Sequence, residues 1–192
     1  SDYKIFKGAA QRYYRGVQRK SKKYIMISNK AKKISSKMHI QKSLDTGKTG
    51  ENNFEEVCKK YDWACKKSTE KENIYSHIDF YLFNMGVDVK GFKESHKQNK
   101  VIVEFKNVQG RSGWCSKESK AELIAFEFLD FFVLVKKNEL LDYCRKNVSK
   151  EYVENFKDCY KKLYQRKNRK DLMTKLNLCD LKTLKTYIEL LK

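Results

Sequence analysis

Apolar and polar positions alternate in short blocks that predict a sequence of small elements. Phe54, Val57, Cys58 and Tyr61 recur at helical spacing and predict a helix from about Glu51 to Trp63. Glu55 falls toward one edge of that apolar face, Glu51 near it, and Glu56 on the solvent side. Ile74–Phe83 is rich in β-branched and aromatic residues, Asn84-Met85-Gly86 reads as a hairpin turn, and Val87–Phe92 alternates strictly. After the polar loop 94–100, Val101–Val108 alternates again, so three short strands on short loops predict an antiparallel meander. Gln109–Ser116 is a loop, Lys120–Phe128 is assigned to a helix, Phe131–Val135 to a strand and Asn138–Lys146 to another helix. Leucines and tyrosines at helical intervals over 147–192 predict two more helices, interrupted near Arg169. The order helix, three strands, helix, strand, helix is that of an α/β or α+β core.

Charge divides the chain into three parts. Residues 1–50 carry 14 Lys/Arg against 2 acids, residues 51–145 carry 16 against 16, and residues 146–192 carry 13 against 6. A neutral core over 51–145 is thus expected between a basic N-terminal arm, 1–50, and a basic C-terminal helical segment, 146–192. The arm interleaves Tyr3, Phe6, Tyr13, Tyr14, Tyr24 and Ile25 with cations, as a helical extension or a segment that orders on nucleic acid would. Two such ends attract phosphate backbones by counterion release, without reading sequence. Asp45–Gly50 (DTGKTG) reads as a turn and a domain boundary. Its Gly47-Lys48-Thr49 is not a P-loop, because Lys42 stands where that motif needs glycine.

The apolar stretch from Leu123 to Val135 is broken by Glu127 and Asp130, so no membrane span is expected. Lys4, Lys7, Arg12 and Arg15 interrupt the opening residues, unlike a secretory signal. Six cysteines without C-x-x-C spacing fit free thiols in an intracellular chain, cytoplasmic or nuclear, rather than a zinc site.

Candidate chemistry centres on the expected hairpin. Asp79 stands mid-strand between Ile78 and Phe80, and Asp88 and Lys90 share one face of the next strand. The turn brings Asp79 within cross-strand reach of Asp88 or Lys90. Two crowded carboxylates are relieved by a hard cation such as Mg²⁺, and an adjacent ammonium can hold a phosphate or orient a water. Acid-x-Lys alone is a weak signal, since it also occurs at Asp2/Lys4, Glu104/Lys106, Glu118/Lys120 and Asp180/Lys182. Only Asp88/Lys90 follows another mid-strand aspartate across a tight turn.

Gly50 with Phe54-Glu55, Ile78-Asp79 and Asp88-Val89-Lys90 resemble the PD-(D/E)XK nuclease superfamily over about half the chain. Glu104-Phe105-Lys106-Asn107-Val108 with Gly110, Gly113 and Trp114 is similar to small virus- and phage-encoded members, as is Ala125-Phe126 followed by Asp130-Phe131-Phe132. The resemblance implies a restriction-endonuclease-like core, like that of Holliday-junction resolvases. It also implies Mg²⁺ or Mn²⁺ held by Asp79, Asp88 and Glu55, with Lys90 positioning the attacking water. Glu104-Phe105-Lys106 matches the same motif, so Glu104 is either a further metal ligand or, with Lys106, the alternative acid-x-Lys pair.

The expected function is metal-dependent DNA endonuclease activity on duplex or branched DNA, nicking or structure-selective, with a homodimer required for resolvase-like cutting. Lys106, Asn107, Arg111 and Trp114 in the central loop are candidate DNA contacts, as are Arg12 and Arg15 in the arm and Arg166, Arg169 and Lys170 near the C-terminus. Asn107 is equally a turn-closing residue, and Trp114 is equally a residue packed over the sheet edge. The competing reading is a basic nucleic-acid-binding protein whose nuclease-like core is inactive.

Overall fold

A computed structural model describes residues 41 and 44–192, and the chain divides after Asp45 into two units, the second being Thr46–Lys192. The second unit is α+β, as expected. It opens with helix α1 over 46–60. Then follow β1 (Cys65–Lys67), α2 (Glu70–Ser76), β2 (Phe80–Leu82), β3 (Met85–Lys90), β4 (Lys100–Lys106), β5 (Leu123–Glu127) and β6 (Phe131–Lys136). The remainder is α3 (Lys137–Asn147), β7 (Tyr152–Val153), β8 (Leu163–Tyr164), β9 (Leu172–Asn177), α4 (Leu178–Leu181) and β10 (Tyr187–Leu191).

One sheet has the order β1-β2-β3-β5-β6-β10 and the other β4-β9-β8-β7. β3 and β5 run parallel, with Asp88 beside Ile124 and Lys90 beside Phe126, while the other neighbours in the first sheet are antiparallel. α1 packs Phe54, Val57 and Cys58 on the face of this sheet that carries Phe80, Leu82, Val87, Val89, Ala125 and Phe132. Phe54 is fully buried, its ring centroid 5.7 Å from Phe80 and 5.4 Å from Phe132. That burial contributes roughly 1.5–3 kcal/mol. The opposite face carries Ile124, Phe126, Val133 and Val135, and packs on Val101, Val103 and Leu176 of the second sheet and Leu140, Leu141 and Cys144 of α3.

Several expected elements differ. DTGKTG is helical rather than a turn, and its second glycine, Gly50, serves close approach. A Cβ on Gly50 would lie 2.5 Å from Gly91 Cα, and one on Gly91 would lie 2.5 Å from the Thr46 carbonyl oxygen. The crossing is tied by buried Glu127, whose carboxylate accepts from Asn53 Nδ2 (2.6 Å), the Phe92 N–H (2.8 Å) and Lys192 Nζ (2.7 Å). Ile74–Phe83 is not one strand. Thr69 and Glu72 form a capping box that starts α2, and His77, left-handed at φ 54°, ends it. The hairpin turn falls on Phe83 and Asn84, with φ of 50° and 68°, so the strand resumes at Met85. Two successive positive φ values match the twist of a two-residue hairpin.

The meander exists, but its strands are β1, β2 and β3; Val101–Val108 instead supplies β4 of the second sheet. Lys120–Phe128 is not a helix, because all five residues of β5 are buried between two layers. Such a continuous apolar run does not distinguish strand from helix by period. Residues 147–192 are not two helices either. Tertiary burial draws Met173–Leu176 into β9 and Leu190 into β10, overriding their helical spacing. The helix expected at Asn138–Lys146 is present as α3, one residue longer at each end. Among the described residues no helix is long and apolar enough to cross a membrane.

Gly50→Ala and Gly91→Ala should each destabilise the fold by about 1–3 kcal/mol or more, through backbone overpacking. Gly47→Ala, with nothing within 4 Å of its added Cβ, should be neutral or stabilising by up to about 1 kcal/mol. Urea unfolding midpoints of the three variants test the contrast.

Candidate functional site

The β2–β3 hairpin assembles the candidate acids. Asp79, just before β2, donates its N–H to the Val87 carbonyl at 2.8 Å and accepts at its own carbonyl from the Ser68 N–H at 2.9 Å. Its carboxylate accepts from the Val89 N–H (2.6 Å) and from Asn73 Nδ2 (2.5 Å). Asn73 is on α2, so the Thr69 cap that fixes this helix also fixes a partner of Asp79. On β3, Val87 and Val89 face α1, so Asp88 and Lys90 project to the other face of the sheet. Asp88 Oδ1 pairs with Lys90 Nζ at 2.6 Å, while Asp88 Oδ2 is buried without a hydrogen-bond partner. Lys90 Nζ lies 4.9 Å from the centroid of the Trp114 ring, whose edge meets Phe126.

Asp79 is 8% exposed and Asp88 3%, and burial disfavours the charge of both. Burial first, then the charge of Asp88, pushes the Asp79 carboxyl up to about 6. Asp88 is also raised by burial, against the pull of Lys90. Glu104 on β4 is raised by burial too; its charge is felt at Asp88, and Lys90 pulls on both. His77, at the end of α2, is lowered by burial and then by the Lys90 charge.

The hairpin therefore gathers Asp79, Asp88 and Lys90, while Glu104 on β4 acts on Asp88 and Lys90 through its charge alone, with no hydrogen bond or ion pair to them among the described residues. Glu55 does not join them. It lies on α1, which covers the Val87/Val89 face, and pairs with Lys59 at 2.9 Å, which holds its carboxyl below the usual range. Among the described residues, no group of three or more His, Cys, Asp and Glu side chains is arranged to hold a metal ion.

The two basic loops expected to touch DNA do meet. Gly110, at φ 82°, sits against the stem of Lys170, and the Lys170 N–H donates to the Val108 carbonyl at 3.4 Å. Lys106, Arg111, Arg169 and Lys170 are exposed there. Asn107 closes the turn instead, its Oδ1 accepting from the N–H groups of Gln109 (3.0 Å) and Arg111 (3.1 Å). Arg166 pairs through Nε with the fully buried Asp171. Trp114 is 7% exposed beneath Lys90, so its ring is packed in the core rather than open for base stacking. Arg12 and Arg15 lie outside the described residues. Asn73 was not anticipated, although Thr69 followed three residues later by Glu72 is a legible helix start.

Comparison with protein-family models, with curated proteins and with solved structures gives no significant match.

Because the Asp79 pKa rises from 3.8 to about 6 on folding, the native chain holds the extra proton across that window. This group therefore favours folding most at low pH; its contribution falls as pH rises from about 4 to 6 and is lost above that. Carbon-detected NMR should place the Asp79 midpoint near 6, and lower in Asp88→Asn, which removes the like charge. The difference in melting temperature between variant and wild type should shift in favour of Asp88→Asn from about pH 4 to 6.5.

Proposed function

We propose that the chain is a nucleic-acid-binding phosphodiesterase that cuts DNA with a divalent metal held at Asp79 and Asp88. One observation carries this reading: two buried carboxylates share one face of the hairpin, one with an unpartnered oxygen, beside an ammonium group. Mg²⁺ is commonly held by only one or two protein carboxylates, with waters and substrate phosphate completing its shell. Hard oxygen donors fit that cation, and Glu104 stands near enough to Asp88 for their charges to interact. When bound, such a cation polarises a phosphoryl oxygen and acidifies a water.

The chain's own residues have distinct parts in this scheme. Asp88 and Asp79 supply the negative charge, and the Val89 N–H and Asn73 fix the orientation of Asp79. Lys90, 19% exposed and lying over the Trp114 ring, offers its ammonium to a phosphate oxygen or to the attacking water. The exposed cations around Gly110 and Lys170 supply sequence-independent affinity for duplex or branched DNA. A second reading, a non-catalytic DNA binder with an inert acid pair, is favoured by the missing third ligand among the described residues.

With Mg²⁺ or Mn²⁺, purified chain should nick or cut plasmid or branched DNA. Asp88→Asn and Lys90→Ala should each lower the rate on the order of a hundredfold or more, while Glu55→Ala should cut like wild type. Undiminished cutting by the first two variants would sink the assignment. Calorimetry separates the readings: the nuclease binds Mn²⁺, more tightly as pH rises through about 6, and loses that binding in Asp88→Asn. An inert binder shows DNA affinity without Mn²⁺ heat.

A further inference from the structure

At the far end of β3 from Lys90, a cavity of about 480 Å³ opens between the segment entering β5 and the start of α3. Its walls include Lys117, Ser119, Lys120, Lys136, Lys137 and Asn138. We propose that this cavity is a phosphate-binding site, taking inorganic phosphate or the terminal phosphate monoester of a nucleic-acid strand.

Three observations carry it. First, Ser119 is 4% exposed and its Oγ has no hydrogen-bond partner, so a buried hydroxyl in the wall awaits an acceptor. Second, Lys137 is also 4% exposed, and its ammonium donates to the Ser119 carbonyl with no carboxylate partner among the described residues. Its hydrogen bond is to a neutral carbonyl, and the acids whose charge it feels, Glu118 and Asp88, make no ion pair with it, so its burial is offset only in part. Third, Lys136 and Lys137 stand at the cap and first position of an eleven-residue helix, where the helix's own positive end disfavours cations. Lys136 makes no side-chain cap; the Lys137 N–H donates to the Glu122 carbonyl at 2.9 Å, which leaves the later N–H groups of the first turn for an anion.

The opposing charges are turned elsewhere or outnumbered. Glu139 of the first turn is bound to Thr186, accepting from its N–H at 2.7 Å and its hydroxyl at 3.0 Å. Glu122 lines the cavity but accepts from the Gly86 N–H at 3.1 Å, and four lysines face this one carboxylate. The lining has lysines and no arginine. Ammonium groups act as point charges that suit a compact tetrahedral dianion, whereas a planar carboxylate is better matched by the arginine fork. The apolar part of the wall, Met85, Ala121 and Leu123, offers no aromatic platform for a base.

The test titrates the full chain, without divalent metal, with inorganic phosphate at ionic strength matched with chloride. Binding with a dissociation constant of about 1 mM or tighter is expected. Lys120→Glu/Lys136→Glu should weaken it at least tenfold with a melting temperature no lower than wild type's, because both side chains are exposed and the helix's positive end favours an acid at its cap. Ser119→Ala should weaken it several-fold, and Asp88→Asn should leave it intact, so this outcome is separable from that of the nuclease assay. No phosphate binding up to about 10 mM, or binding indifferent to the double charge reversal, overturns the proposal. A 5′-phosphorylated oligonucleotide that outcompetes its 5′-hydroxyl twin identifies the strand end as the source. Equal competition by the two, with phosphate still bound, supports the site as one for free phosphate or small esters.

Discussion

The crossing of α1 over the end of β3 is made backbone to backbone, and much of the architecture is set by that approach. Gly50 and Gly91 leave no room for a side chain at either crossing point, which holds the helix down on the Val87/Val89 face. Glu127 then fastens the junction from below, taking hydrogen bonds from α1, from the residue after Gly91 and from Lys192. A buried carboxylate is tolerable there because its charge is met by an ammonium and two N–H donors. With one face of the first sheet sealed by the helix, Asp88 and Lys90 project into the other interlayer, toward the second sheet.

Glu127 and Asp88 show what partner supply does to a buried acid. Both are almost fully enclosed on adjacent parallel strands. Glu127 has three donors, whereas Asp88 has Lys90 on one oxygen and, beyond a proton shared with the Asp79 carboxyl, no donor on the other. Asp79 beside it is fully hydrogen-bonded yet shifted upward, because burial and the neighbouring charge outweigh those contacts. The first acid is a fastening. The other two retain an electrostatic demand that a cation would meet, and perturbed groups of this kind cluster where chemistry is done.

The hairpin was legible because a short connection and strict alternation make Asp79 and Asp88 neighbours by geometry. The class of fold followed from mixed helical and alternating segments. The errors share a cause: periodicity reports which faces are apolar, not how many layers enclose them. β5 is buried on both sides and lost its alternation, so it read as a helix. In β9, Thr174 and Lys175 are buried among apolar neighbours and hide a strand inside a basic region. The DTGKTG glycines read as turn formers because nothing local reveals that Gly50 must meet Gly91, 41 positions away. Glu55 was misplaced by a matching limit, since helical phase sets its edge on the helix but not the side of the sheet that the helix covers.

The parallel pairing of β3 with β5 also orders events in time. β2 and β3 are joined by two residues, whereas Asp88 meets Ile124 only after the chain has passed through β4 and a long loop. Loop closure of that length follows hairpin formation. In that order the two aspartates would become neighbours while hydrated, and would lose water only when the second sheet covers the face of β3 that carries Asp88. A charge penalty incurred that late would hasten unfolding more than it slows folding. The acid pair would then limit the lifetime of the native state, and a bound cation would lift that limit.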